Sequence, residues 1–474
     1  MCYIRVEAFS PHRFYQWEIF MKSFFYRNGR NAGIREVTLL SLTLPLIFEN
    51  IMNRLLGTVN TAVLGAYSDA SAAAVGSANT VINVLLIFFS VASAGASVVI
   101  SNHIGAGNEK LSREACFTSI TMTLLIAAVL TPLILLFSPS IMHMMNLEGV
   151  VYEEALIYLQ IRSAFIICTA LTSMLLAIMR CFGYPAYTFL IGILTNAINV
   201  LLCIVVVYFP EYSPIKGVVG IGAASVIATT IGLVTIFIIF RRLGLTPERP
   251  QNKKVFWAHT KSLVRIGLPA SLSGMSYSLS MMVTMAFVAL LGDVAVSAKV
   301  YYTDILSYVY LVGSSIGSAN SIIVGRLYGA GRYDDADKQS KKSVRLTIPI
   351  NLTCSLLVLI FRAQLLSLFT SDKTIIAMSL GVFAVDIITE QARAWSHVYE
   401  YALRATGDIY FTTGCIIISC FAFGIGLSYV LSITCGLGIV GCFIGLAADE
   451  TTRAISTVLR WKRGKWKQCD HLGV

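Results

Sequence analysis

Four ionisable side chains lie deep inside long apolar stretches of the sequence, where an isolated charge is costly. They are Glu49, Asp304, Glu390 and Arg393. An ionisable residue within a membrane span is by default a candidate for binding a coupling ion or a substrate. Glu390 and Arg393 are one helical turn apart, so their side chains can pair. We expect this pair to form a coupling or substrate site, with a structural clamp between helices as the alternative; Asp386 and Glu400, nearer the ends of that stretch, are expected to be solvated.

Amides and prolines provide a second group of candidates. The amides lie one helical turn apart in two pairs: Asn79 with Asn83, and Asn196 with Asn199. Such pairs either line a wet cavity or join helices through hydrogen bonds, and we favour the cavity. Pro45 and Pro269 each remove a backbone donor within a predicted helix. We expect bending at these two prolines to gate the cavity.

The elements that position these residues are membrane spans. The chain has 474 residues, of which 56% are hydrophobic and 13% charged, whereas soluble domains have about 25% charged residues. About twelve apolar stretches are long enough to cross a hydrocarbon layer of about 30 Å. The 11 cysteines and six histidines show no paired, metal-type spacing, and none is expected to hold a metal. The sequence predicts an all-α polytopic membrane protein without a cofactor.

The formal net charge of +11 follows from membrane topology. With the N-terminus in the cytoplasm, lysine and arginine accumulate in the even-numbered connections and in both tails. The basic residues of the odd-numbered connections are chiefly Lys216 and Lys373. This is the positive-inside pattern; it predicts a multi-pass protein of the plasma membrane with both termini in the cytoplasm, and it argues against nucleic acid as a partner.

Sequence marks recur 224 residues apart. The coincident marks are Leu44-Pro45 with Leu268-Pro269, Gly105-Ala106-Gly107 with Gly329-Ala330-Gly331, and "MRCFG" at 179–183 with "LRATG" at 403–407. Each repeat holds about six helices, an even number, so both halves run the same way through the membrane. This predicts two six-helix bundles related by a pseudo-two-fold axis along the membrane normal, with a substrate site between them.

The two Gly-Ala-Gly segments do not have the context of phosphate-binding loops. Such loops follow a β-strand and open a helix, with Lys and Ser or Thr close behind, whereas each segment here follows a predicted span. We expect both to be tight turns.

The predicted segments of the chain follow from the spans and the charge pattern. They are a basic and aromatic cytoplasmic segment at 1–37, a first bundle at 38–240, a cytoplasmic linker at 241–262, a second bundle at 263–459 and a basic cytoplasmic tail at 460–474. Translation could start at Met1 or at Met21.

Proline in spans 1 and 7, Gly-x-Gly after spans 2 and 8, and Arg-x-x-Gly after spans 4 and 10 together resemble the MATE (multidrug and toxic compound extrusion) family. The "GVVGIGAA" that opens span 6 and the "GIVGCFIG" that opens span 12 extend the pattern. The resemblance covers nearly the whole chain beyond about residue 36. It implies export of small amphipathic, often cationic organic compounds in exchange for H⁺ or Na⁺, by alternating access between the bundles.

The chain departs from the family pattern at two polar positions. Asn60 stands where the family commonly has aspartate in span 1. In span 5, Asn199 fits the family pattern, but Cys203 occupies the place of a second acid or amide. Because an amide does not take up a proton at physiological pH, the usual cation site of the first half is weakened. Asn60 and Asn199 therefore join Glu49, Asp304, Glu390 and Arg393 as coupling or substrate candidates.

Two other functions are weighed against export: a flippase for a lipid-linked precursor, and a membrane enzyme or receptor. A flippase for a lipid-linked precursor should need extra spans or a strongly cationic cavity, and only Arg54 and Arg393 lie well inside predicted spans. The partner of Arg54 is not evident, because Glu49 lies on a different face of the same helix. The chain lacks a P-loop and a zinc-protease motif, so no catalytic residue is predicted. We expect a monomeric transporter whose partners are small molecules and the bilayer.

Overall fold

The computed structural model describes residues 37–145, 147–209, 211, 213 and 215–469, except the side chains of 56–62, 66, 67 and 69. The helices of the first half are α1 (Leu39–Tyr67), α2 (Asp69–Gly105), α3 (Glu109–Met144), α4a (Gly149–Ala164), α4b (Ile166–Cys181), α5 (Pro185–Tyr208) and α6 (Gly217–Arg242). Those of the second half are α7 (Lys253–Ala289), α8 (Asp293–Gly329), α9a (Tyr333–Ile360), α9b (Arg362–Ser367), α10 (Lys373–Ala405), α11 (Ile409–Thr434) and α12 (Gly438–Lys462). No strand occurs among these residues. The predicted segment 1–37 lies outside them except for Val37, as does the tail beyond residue 469.

Twelve helical spans in two sets of six agree with the architecture expected from the sequence. Eight of the described helices can cross a membrane by length and composition, or nine when α4a and α4b, which are bent by 50°, count as one span. The remaining three, α1, α8 and α12, pack on other helices. The fold class predicted from the sequence is confirmed.

Side-chain caps fix the starts of several helices. The Thr38 hydroxyl accepts a hydrogen bond from the Ser41 amide at 3.2 Å, and the Ser41 hydroxyl accepts one from the Thr38 amide at 2.9 Å. This reciprocal capping box satisfies two amides that a helix otherwise leaves without partners. Asn252 caps α7 by accepting from the Lys254 amide at 3.3 Å. Helix α7 thus begins inside the segment predicted as linker, because its first turns continue into water beyond the apolar span.

The two Gly-Ala-Gly turns lie where the halves cross, on the side we call the Gly-Ala-Gly side. A Cβ at Gly105 of α2 would overlap the backbone of Arg326 of α8, and a Cβ at Gly329 would overlap the backbone of Asn102. Asn102 and Arg326 are 224 positions apart, as the two glycines are. The contact is therefore reciprocal, which is the arrangement that a pseudo-two-fold axis requires. The last glycines, Gly107 and Gly331, have φ of 75° and 70° and end the helices.

Hydrogen bonds across the same crossing obey the same symmetry. The Asn102 amide donates to the Ala405 carbonyl at 3.0 Å, and the Arg326 guanidinium donates to the Cys181 carbonyl. Cys181 and Ala405 end the fourth and tenth spans of their halves. Each half therefore holds the end of a span in the other half, and the two halves are in direct contact on the Gly-Ala-Gly side.

Two helices depart from regular α geometry. Helix α4 breaks at Phe165, and α11 becomes π-helical over Cys420–Leu427 and Val430–Thr434. Within α11, a Cβ at Gly424 would lie 2.6 Å from the Ser280 hydroxyl of α7, so the two helices approach closely there. Pro45 and Pro269 lie inside continuous helices; the expected bending there stays a prediction.

Candidate functional site

A buried charge network joins α10 and α12 in the second half. The Arg393 guanidinium lies 2.5 Å from the Glu390 carboxylate and 3.1 Å from the Glu450 carboxylate. Both carboxylates are almost fully buried. The expected contact between Glu390 and Arg393 is thus present, and Glu450 of α12 joins them. Asn351 of α9a donates a further hydrogen bond to Glu390 at 3.3 Å.

A second arginine extends the network along α12. The Arg453 guanidinium lies 2.7 Å from Asp449 and 2.8 Å from Glu450. Glu450 therefore binds both Arg393 and Arg453 and links the two arginines. One helical turn separates Arg453 from each of its two acids.

Aromatic side chains enclose the network. The ring of Tyr310 lies 5.1 Å from the Arg393 guanidinium, and the ring of Tyr277 lies 5.5 Å from the Arg453 guanidinium. Arg393 also donates to the Tyr277 hydroxyl at 3.3 Å. These distances suit cation–π contacts. The ring faces and the carboxylates therefore stabilise the guanidiniums together.

A cavity of about 130 Å³ opens beside the network, lined by residues that include Tyr277, Tyr310, His397, Glu450 and Arg453. A water molecule takes up about 30 Å³ of liquid, and sites for drug-sized ligands measure about 300 Å³ or more. The cavity therefore has room for a few waters and an ion, and it is too small for an organic substrate.

Carboxylates outnumber guanidiniums in this buried region. The five acids are Asp386, Glu390, Glu400, Asp449 and Glu450, and the three arginines are Arg393, Arg404 and Arg453. Burying uncompensated charge costs several kcal/mol or more. The region is consequently stabilised when it takes up protons or a small cation. One oxygen of Asp386 is buried and lacks a hydrogen-bond partner among the described residues.

Four of these five acids were not predicted to lie here. Asp386 and Glu400 are 3% and 6% exposed rather than solvated, because α10 is packed between α8, α9a and α12. Asp449, like Glu450 and Arg453, was not among the sequence candidates. The available signal was three charged residues within "DETTR" at 449–453 of an otherwise apolar predicted span.

A separate ion pair joins the two halves. The Arg54 guanidinium of α1 lies 2.6 Å from the Asp304 carboxylate of α8, and their side chains are 38% and 47% exposed. The Asn50 amide donates to the Ser315 hydroxyl at 3.1 Å between the same two helices. Asp304 is thus the partner of Arg54 that sequence spacing did not identify. These contacts join α1 of the first half to α8 of the second half.

The contacts of the Glu49 carboxylate lie within the first half. The carboxylate lies 3.2 Å from the Arg180 guanidinium and accepts a hydrogen bond from the Thr188 hydroxyl at 3.2 Å. Arg180 and its repeat partner Arg404 belong to the last turns of α4b and α10 rather than to connecting loops. Arg404 binds Glu400 at 2.5 Å. Glu49 therefore belongs to a separate site from the α10–α12 network.

The predicted amides are distributed over several contacts. Asn196 donates to Asn53 at 2.6 Å and Asn199 donates to Ser225 at 3.0 Å, so both join helices. Asn79 accepts from the Tyr158 hydroxyl at 3.5 Å, and Asn83 is exposed. The side chain of Asn60 lies outside the described residues. Among the described residues, no group of three or more His, Cys, Asp or Glu side chains could hold a metal ion.

Comparison with known proteins recovers both the family and the repeat. A family model described as MatE matches residues 45–205 and again residues 269–430, and both matches begin at the repeated prolines. The chain is 32% identical over 435 residues to the uncharacterized transporter YisQ of Bacillus subtilis (strain 168), covering 91% of this chain and 95% of that protein. It is 26% identical over 437 residues to the probable multidrug resistance protein NorM of Thermotoga maritima, covering 91% and 93%.

Solved structures share the fold. A structure titled as the outward-facing conformation of a multidrug resistance MATE family transporter of the MOP superfamily superposes with a TM-score of 0.83 at 18% identity, covering 91% of this chain and 96% of that one. A second, described as a MOP superfamily transporter from Pyrococcus furiosus with reversed polarity of its binding pocket, gives a TM-score of 0.82 at 19% identity, covering 91% and 96%. These likenesses establish the twelve-helix fold.

Proposed function

The chain belongs to the MatE family of transporters, and on that premise we propose that it exports small amphipathic, often cationic organic compounds by ion-coupled antiport. The observation that carries the coupling is the excess of buried carboxylates over guanidiniums between α10 and α12. The names of the multidrug relatives support the substrate class. In this proposal the substrate binds beside Arg54 and Asp304, because this partly exposed ion pair lies between the two halves.

We propose H⁺ rather than Na⁺ as the coupling ion. A hard metal cation needs several oxygen ligands at once. Both oxygens of Asp449 and one oxygen each of Glu390 and Glu450 already contact guanidiniums. The other oxygen of Glu390 accepts a hydrogen bond from Asn351, and that of Glu450 accepts one from Ser396. A proton needs one carboxylate oxygen, and an oxygen of Asp386 is buried without a partner among the described residues. In this proposal Glu390 and Arg393 couple ion uptake to export, and Glu450 links them to α12.

The transporter in this proposal is a monomer in the plasma membrane, with the Gly-Ala-Gly side in the cytoplasm. The basic connections support that orientation through the positive-inside rule. In this orientation, direct contact between the halves on this side corresponds to an outward-facing state. A flippase for lipid-linked precursors is less well supported, because Arg54 and Arg393 are both neutralised by carboxylates and so offer little attraction to a pyrophosphate.

The test is efflux of a fluorescent organic cation from proteoliposomes under either a proton or a Na⁺ gradient. We expect the proton gradient to drive efflux, and Glu390→Gln and Glu450→Gln to abolish the gradient-driven part. The matched control is Glu109→Gln, because Glu109 forms an ion pair near the surface with Arg113. Efflux driven by Na⁺ alone would overturn the choice of ion. Full proton-driven efflux by both network variants would overturn the assigned site.

A further inference from the structure

The first turns of α7 form a basic groove that the transport proposal does not use. Helix α7 has 37 residues, about 55 Å at 1.5 Å per residue, whereas the hydrocarbon layer is about 30 Å thick. Its first turns therefore lie at or beyond the membrane surface. A groove of about 540 Å³ is lined there by Lys253, Lys254, Trp257, Lys261 and Arg265, with two small residues between them.

The four cations of this groove have no acidic partner in the part of the chain that the structure describes. Within the described ranges, none of Lys253, Lys254, Lys261 and Arg265 forms an ion pair with a carboxylate. The cations of another surface on the same side are paired: Arg332 and Lys338 with Asp335, Lys341 with Asp337, and Lys467 with Asp334. The α7 groove therefore presents uncompensated positive charge to an anionic ligand.

The same face of α7 continues into the membrane as an exposed apolar stripe. Val264, Leu268, Leu272 and Met275 follow at helical spacing and are 37%, 48%, 43% and 41% exposed. On the opposite face, Leu263 packs with its backbone against Gly95 of α2. A single helix face thus presents cations at its end and hydrocarbon-facing side chains directly beneath them.

Trp257 lies among the cations of the groove, between Lys254 and Lys261. Its side chain is 66% exposed, and tryptophan is enriched at the boundary between headgroups and acyl chains. Basic clusters next to membrane spans attract anionic lipids. A soluble anion would use the cations, but it would leave the apolar stripe and Trp257 without a role.

We propose that this face of α7 binds an anionic phospholipid. The headgroup phosphate lies in the groove between Lys261 and Arg265, the two cations nearest the apolar stripe, and one acyl chain follows Leu268 and Leu272. Because Leu263 and Gly267 on the other face of α7 pack against α2 of the first half, the bound lipid sits on a helix that joins the two halves.

The experiment measures quenching of tryptophan fluorescence by lipids brominated near the glycerol end of the acyl chain. The purified full-length protein in detergent micelles is titrated with brominated phosphatidylglycerol or brominated phosphatidylcholine. Trp257→Phe identifies the part of the signal that comes from the groove. We expect Trp257 to be quenched at lower concentrations of phosphatidylglycerol than of phosphatidylcholine, and the difference to shrink as salt screens the charges.

Two sets of substitutions with equal charge change separate this site from general surface charge. Lys253→Gln, Lys254→Gln, Lys261→Gln and Arg265→Gln together should reduce the preference for phosphatidylglycerol by about fivefold per cation. The control set is Arg332→Gln, Lys338→Gln, Lys341→Gln and Lys467→Gln, and it should leave the preference intact. Size-exclusion chromatography checks the folding of both sets.

Three results would overturn the proposal. The first is equal quenching of Trp257 by the two lipids, which needs no charge variant. The second is an equal loss of preference in both sets of variants. The third is displacement of the lipid by millimolar inorganic phosphate, which would identify a site for soluble phosphate instead.

Discussion

At the scale of single residues, Arg393 is the centre of the buried network. It contacts Glu390 and Glu450 and lies over the ring of Tyr310. Residue spacing predicts its pairing with Glu390, because residues three apart on a helix meet. The contact with Glu450 joins residues 57 positions apart on different helices, and no local spacing indicates which span packs against which. The same limit applies to Arg54 and Asp304, which are 250 positions apart.

Removing the central guanidinium should destabilise the protein strongly. Arg393→Met removes the guanidinium that Glu390 and Glu450 share in a buried site. Breaking a buried ion pair costs about 3–5 kcal/mol. We expect a clear fall in the melting temperature of the detergent-solubilised protein at neutral pH. Because protonation neutralises the acids, the loss should be smaller at low pH.

Arg332→Met is the matched control, since Arg332 is 63% exposed and binds Asp335 at the surface. Exposed ion pairs contribute little, so its melting temperature should stay close to that of the unaltered protein. Equal melting temperatures for Arg393→Met and Arg332→Met would contradict the account of the network.

At the scale of elements, hydrophobic length predicts the spans but not their local geometry. Helix α7 begins before the predicted span, because it continues through charged residues to its Asn252 cap. The hydrophobic pattern that predicts the span contains no mark of the π-helical turns of α11. The sequence predicts that the Gly-Ala-Gly segments are turns. Only the structure shows that they lie at the crossing of α2 and α8.

The crossing of α2 and α8 should be sensitive to a single methyl group. Gly105→Ala places a Cβ on the backbone of Arg326, so the helices must move apart. Overpacking of this kind costs about 1–3 kcal/mol. We expect a lower melting temperature in detergent.

Gly76→Ala provides the control in the same helix, because a Cβ at Gly76 meets nothing within 4 Å. Alanine is favoured over glycine inside a helix by about 0.5–1 kcal/mol, so this variant should be equally or more stable than the unaltered protein. If Gly105→Ala were as stable as Gly76→Ala, the reciprocal crossing would be wrong.

At the scale of the whole molecule, two copies of one six-helix unit have acquired different polar interiors. The repeat was evident from residues at a constant spacing, and the two matches of one family model confirm it. The second half holds the carboxylate-rich network. In the first half Glu49 is neutralised by Arg180, and Asn196 and Asn199 join neighbouring helices. Sequence spacing could not separate these roles, because they depend on which helices meet.

Orientation can be tested with two native cysteines. Cys435 is exposed between α11 and α12, and Cys469 follows α12 on the Gly-Ala-Gly side. In intact cells, a membrane-impermeant maleimide should label a variant that retains only Cys435. A variant that retains only Cys469 should react only after permeabilisation. The opposite labelling pattern would reverse the proposed topology.

The central claim is that the carboxylates between α10 and α12 bind protons in exchange for substrate. The direct measurement is proton release when an organic cation is added to the purified protein in weakly buffered solution with a pH-sensitive dye. We predict release by the unaltered protein and by Glu109→Gln, and none by Glu390→Gln or Glu450→Gln at substrate concentrations that saturate binding. Substrate binding without proton release in the unaltered protein, or unchanged release in both network variants, would contradict the account.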